Sequence, residues 1–169
     1  MRVALDGSDL VGGIAYERYP ASACGLLTYM VVAPGSRCRG LGRRLLDEAA
    51  RALYAGGARA VFGEVNDPRV HGAAAWPRLE RFVRWGARVV DIGYVQPSLG
   101  AGLLRDRGLR LVAFAGDAPL PRSLPGEVVR GFLRELYQVT ERAPLDGELQ
   151  ALLDGIPERA NLVEPQPPA

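Results

Sequence analysis

Arg37-Cys38-Arg39-Gly40-Leu41-Gly42 puts two guanidinium groups and two glycines within six residues, directly ahead of an apolar-periodic segment. These residue types at this spacing suit the holding of an anion. Glycine lets backbone N–H groups approach an oxygen closely, because no Cβ intervenes. A helix N-terminus adds N–H donors without intrahelical partners and roughly half a positive charge. Arg37 and Arg39 can add charge-assisted hydrogen bonds.

Such a turn needs a strand to deliver it and a helix to leave it. Leu26 to Val32 is a near-continuous apolar run that reads as a central strand buried on both faces, ending at Pro34. Leu41, Leu45, Ala49 and Leu53 then share one helical stripe, which Gly56-Gly57 closes. Ala60 to Val65 reads as a second strand, parallel to the first through a right-handed crossover. Upstream, Val3–Leu5 and Leu10–Tyr16 flank Asp6-Gly7-Ser8-Asp9 and predict a hairpin. Downstream, Pro77 opens a helix whose Leu79, Phe82 and Val83 face inward. Arg88 to Val95 and Leu109 to Ala115 read as strands pairing antiparallel at one edge. Val129, Phe132, Leu133, Leu136 and Tyr137 define an amphipathic helix, and Leu149, Leu152 and Leu153 a shorter one. The expected organisation is a domain over 1–140, a short helix within 141–156 and a disordered tail over 157–169.

With 169 residues and a net charge of +2, the chain fits one domain and carries no basic stripe for nucleic acid. Two cysteines and a single His71 offer no metal-ligand cluster, so no metal is expected. No apolar run reaches the roughly 20 residues of a membrane helix, and no signal pattern opens the chain. A soluble, cytoplasmic protein with no membrane partner is the expectation.

Val32-x-Pro34, followed by Arg37-x-x-Gly40-x-Gly42 and an apolar helix, resembles the acyl-CoA loop of the GNAT acetyltransferase superfamily. The resemblance extends from residue 2 to about 115, through Glu64-Val65-Asn66-Asp67 and Phe82-x-x-x-Gly86-Ala87. It implies an α/β (α+β) fold: a mixed, mostly antiparallel twisted sheet with a central parallel pair splayed around acyl-CoA, and helices on both faces. It implies acetyl-CoA as co-substrate. The pyrophosphate would lie on Arg37, Cys38, Arg39, Gly40, Leu41 and Gly42, the pantetheine beside Met30, Val31 and Val32, with Asn66 reaching the pantetheine or a bound water. Two departures stand out. Family members usually begin with one more strand and two helices, whereas this chain starts at the hairpin. Phe82 also occupies the place where many members carry a tyrosine general acid, and it cannot donate a proton.

Acetyl transfer from a thioester to an amine needs the amine deprotonated and the leaving thiolate protonated. Glu64, near the end of the second parallel strand, is the candidate base. Tyr94, in the late strand beside Val95-Gln96-Pro97-Ser98, is the candidate acid in place of Phe82. Glu17 and Tyr19, closing the second strand near Ser22, are candidate acceptor-pocket residues, and His71 reads as an incidental loop histidine. The implied function is direct transfer to a primary amine of a small molecule or peptide. The alternative is a catalytically degenerate acyl-CoA-binding or interaction module. The C-terminal helices are expected to dock on their own chain or to pack across a homodimer.

Overall fold

The computed structural model describes residues 1–37, 40–100 and 102–167. Its strands are β1 (Arg2–Asp6), β2 (Asp9–Tyr19), β3 (Cys24–Val32), β4 (Ala60–Asn66), β5 (Arg88–Val90), β6 (Leu109–Phe114), β7 (Ser123–Pro125) and β8 (Arg159–Val163). They form one sheet in the order β1-β2-β3-β4-β6-β5-β8-β7. Among the described residues only β3 and β4 run parallel; every other neighbouring pair is antiparallel. The helices are α1 (Leu41–Ala55), the single turn α2 (Pro68–His71), α3 (Trp76–Arg84), α4 (Gly126–Glu141) and α5 (Gly147–Asp154).

Strand alternation divides the core into two layers. Val61 and Val65 of β4 join Leu45, Leu46, Ala49 and Leu53 of α1, with Leu79 and Phe82 of α3, on one face. Ala60 and Phe62 join Val129, Phe132 and Leu136 of α4, with Leu149 and Leu153 of α5, on the other. Phe62 stacks on Phe132 with ring centroids 4.6 Å apart, and Tyr19 meets Phe132 edge-on at 5.3 Å. The C-terminal helices thus pack on their own sheet. Buried Glu135 of α4 accepts hydrogen bonds from Ala21 N, Ser22 N and Ser22 Oγ, tying the β2–β3 turn to that layer.

The structure corrects several expectations. The supposed tail holds β8, which pairs with both β5 and β7; Ala160 is fully buried and Leu162 packs on the α4 layer. Because β8 and β7 extend the sheet, β5 and β6 are not its edge. The strand expected over Arg88 to Val95 ends at Val90. Beyond it the chain turns tightly, Ile92 N bonding Val90 O and Tyr94 N bonding Ile92 O, so Tyr94 lies in an irregular segment. The shorter helix occupies Gly147–Asp154, capped by the Asp146 side chain on Leu149 N. Finally, β3 is buried only over Cys24–Leu27; past Thr28, Tyr29 and Val31 face solvent.

Candidate active site

The parallel pair opens into a cleft. β3 and β4 are paired from Cys24↔Ala60 to Leu27↔Gly63. At that point β3 carries a bulge: Ala15 faces Tyr29 and Tyr16 faces Leu27, which leaves Thr28 as the extra residue. The bulge reverses the facing of the following side chains, so that Met30 and Val32 pack toward α1 while Tyr29 and Val31 face away. Past it, β3 keeps its pairing to β2, but among the described residues none to β4. One backbone edge of 28–32 is therefore free to hydrogen-bond an extended ligand. Leu27, Met30, Gly63, Glu64, Phe82 and Phe114 line the opening. A Cβ on Gly63 would lie 2.7 Å from the Phe114 ring, so a glycine is needed for that wall. Phe82 is buried edge-on against Phe114 at 5.5 Å, an apolar wall residue.

The anion turn lies at the end of that free edge. Gly40 sits at φ +75°, a left-handed conformation that suits glycine, and heads α1. The first helical hydrogen bond runs from Arg44 N to Gly40 O at 3.1 Å, so the N–H groups of Leu41, Gly42 and Arg43 come before the helical ladder. Arg37 is exposed, and its Nε donates to Val32 O at 3.3 Å, which lays its guanidinium along the end of β3. Gly42 has a packing role as well: a Cβ there would lie 3.2 Å from the Trp85 ring. Cys38 and Arg39, also assigned to this turn, lie outside the described residues.

Glu64 projects to the α4 side of the sheet, at the point where the strands part. Tyr94 Oη donates to Glu64 Oε1, and Gln96 Nε2 donates to Oε2 at 2.7 Å. Burial raises the Glu64 carboxyl above its ordinary value, only partly opposed by these two bonds; nearby Asp106 pushes it further up. Burial also raises the Tyr94 phenol well above its ordinary value, and the Glu64 charge reinforces the effect. Tyr19, raised mainly by burial, feels the Glu64 charge and donates to Glu17 at 3.0 Å.

The two sequence-assigned catalytic residues are therefore in direct contact, although Tyr94 points its proton at Glu64. Gln96 was not among the assigned residues. It lies two residues after Tyr94, just ahead of Pro97. It is held by a backbone pair with Asp106, Gln96 N to Asp106 O at 2.8 Å and Asp106 N to Gln96 O at 3.1 Å. The loop between them is anchored to the C-terminal helices: Ser98 N and Arg105 both donate to Glu141, Arg105 also reaches Asp146 and Glu148, and its guanidinium stacks over Tyr137. Asn66 is exposed at the end of β4. The firmly held residue there is its neighbour Asp67, buried, capping α2 and paired with Arg69 at 2.8 Å and Arg110 at 3.5 Å. Its carboxyl lies below the ordinary range, because the Arg69 and Arg110 interactions outweigh burial. Among the described residues no group of three potential metal ligands occurs, and no helix is long and apolar enough to cross a membrane.

A cleft between parted parallel strands, a free strand edge leading to a helix N-terminus and a carboxylate at the fork suit an acyl thioester donor. Residues 1–79 match the family model described as acetyltransferase (GNAT) family. No curated protein matches the sequence. Among solved structures, a protein assigned to the GNAT family from Bacteroides thetaiotaomicron aligns with a TM-score of 0.62 at 18% identity, over 84% of this chain and 72% of that one. A GNAT-family protein from Desulfovibrio desulfuricans aligns at 0.49 and 24% identity, over 66% and 65%. A Bacillus subtilis acetyltransferase solved with CoA aligns at 0.47 and 16% identity, over 66% and 73%. The family match spans the anion turn and Glu64 but stops short of Tyr94 and Gln96, which the structure alone brings to the fork. The first 79 residues thus match the GNAT acetyltransferase family model, and the chain shares the fold of a solved protein assigned to that family.

Proposed function

We propose that the protein moves an acetyl group from acetyl-CoA directly to a primary amine, with Glu64 as the general base. The observation that carries this reading is the raised, doubly hydrogen-bonded Glu64 at the fork of β3 and β4. The residues present fit the donor: the free edge of Thr28–Val32 for the pantetheine amides, and Arg37 with the N–H groups of Leu41 and Gly42 for the pyrophosphate. Asn66, exposed at the end of β4, is a further donor-binding residue in this reading. Acetyl-CoA supplies the thioester carbonyl.

Glu64 removes one proton from the incoming ammonium. A carboxyl raised toward neutrality does so with less mismatch than an ordinary one. The amine nitrogen then forms its bond to the carbonyl carbon as the C–S bond breaks. The second amine proton goes to the thiolate, and the one held by Glu64 returns to solvent. Tyr94 acts first as a positioning residue for Glu64. It serves as an acid only in an alternative relay, in which the Tyr94 proton goes to the thiolate, Glu64 returns its proton to Tyr94, and the second amine proton leaves to solvent. Gln96 fixes the other carboxylate oxygen.

Thiol release from acetyl-CoA, measured across a panel of primary amines, tests this reading. Amine-dependent release, with the acetylated amine found by mass spectrometry, is expected. Release that no amine stimulates would contradict it.

A further inference from the structure

Resting on the reading above, we infer that the acceptor is a primary amine with an apolar body, seated on the face of β1–β3 opposite α1. On β2, Gly12 and Ile14 point at α1: a Cβ on Gly12 would touch Leu41 and Leu45, and Ile14 is buried in that layer. Gly13 and Ala15 therefore point the other way. Their cross-strand partners are Val3 on β1 and Val31 and Tyr29 on β3. Val3, Tyr29 and Val31 are 52%, 76% and 67% exposed, and Leu5 and Leu10 face each other farther along the hairpin. Two small residues floor a shallow surface with apolar walls. Exposed apolar side chains grouped on one face, rather than scattered singly, mark a contact surface.

What occupies it is argued from charge. Along β2 the next residue on the same face after Ala15 is Glu17, bonded to Tyr19, whose hydroxyl also feels the Glu64 charge. Tyr29 stands immediately past the bulge at the fork, so the apolar surface begins where Glu64 sits. Glu17 and Glu64 at one end, with Arg78 lying over Phe82 on the opposite, α1 side of the fork, and an uncharged apolar stretch at the other end complement a cation with a hydrophobic tail. The donor approaches from the α1 turn, so the fork admits the thioester from one face and the amine from the other.

The test uses the full chain, acetyl-CoA and a series of n-alkylamines from propylamine to octylamine, whose basicity barely changes with length. Burial of the added methylenes predicts that kcat/KM rises roughly threefold to fourfold per carbon over the first few members. Val3→Ser and Tyr29→Ser, both replacing exposed side chains, are expected to lower that slope by half or more, with circular dichroism confirming the fold. Transfer to short and long amines at equal rates overturns this inference alone. Absence of transfer to every alkylamine, while another primary amine is acetylated, also overturns this inference alone; absence of transfer to alkylamines and to the wider amine panel overturns it together with the reading it rests on. Sedimentation of wild type and Val3→Asp supplies the remaining outcome: a dimer that the substitution dissociates assigns the face to a second copy and overturns the proposal.

Discussion

Opposing pressures on Glu64 make its behaviour predictable. Burial raises its carboxyl, and the bonds from Tyr94 and Gln96 lower it. Removing either bond leaves burial less opposed, so the acidic limb of the kcat/KM profile is expected at higher pH in Gln96→Leu and Tyr94→Phe than in wild type. An unmoved limb would separate Glu64 from the proton transfer. The same group burdens the fold. Its folded value lies above the unfolded value near 4.5, so its contribution is fully present below that pH and is lost as pH rises through the folded value. Glu64→Gln is therefore expected to raise Tm at pH 7 and to leave it unchanged at pH 4, by thermal denaturation at both. Glu64 was legible in the sequence as a carboxylate ending a strand beside the anion turn. Gln96 was not, because only the irregular path after Val90 and the Asp106 bridge aim its amide at Glu64.

Among the elements, the fork depends on a bulge and the turn on one glycine. Gly40→Ala places a Cβ on a left-handed residue, at a cost of about 1 kcal/mol. Because that residue sets the first N–H groups of α1, KM for acetyl-CoA is expected to rise by about tenfold with kcat less affected, by steady-state kinetics. The loop carrying Gln96 depends on Arg105, which with Glu141 is mostly shielded from solvent. Arg105→Met strands Glu141 and is expected to cost about 2 kcal/mol in urea denaturation, below the full cost of breaking a buried pair because part of the network is exposed. Arg105 holds Glu141 below its ordinary range, so this contribution is present above pH 4.5 and is lost as pH falls through the lower folded value. Helices and strands up to β4 follow the apolar periodicity. The bulge does not, since Leu26–Val32 is apolar throughout and alternation is invisible within it.

Across the whole molecule, the C-terminal third is part of the core. Phe132 is completely buried between Phe62 and Tyr19, and Phe132→Ala is expected to cost about 3–5 kcal/mol by urea denaturation, with loss of activity through misplacement of β4. The two-faced architecture was legible because α1 and α4 each show a wide apolar stripe. The position of β8 was hidden: Arg159-Ala160-Asn161-Leu162-Val163 is short, follows a turn and precedes a proline-rich end, so composition reads as tail. Its pairing partners are β5 and β7, more than thirty residues away in sequence, and local pattern carries no record of them.

If Glu64 at the fork is the general base, Glu64→Gln must slow amine acetylation at saturating acetyl-CoA, read as kcat/KM for the amine. A loss of about 100-fold or more, with KM for acetyl-CoA within twofold of wild type, is the predicted result. A loss below about threefold, or one accounted for by weaker acetyl-CoA binding, would contradict it.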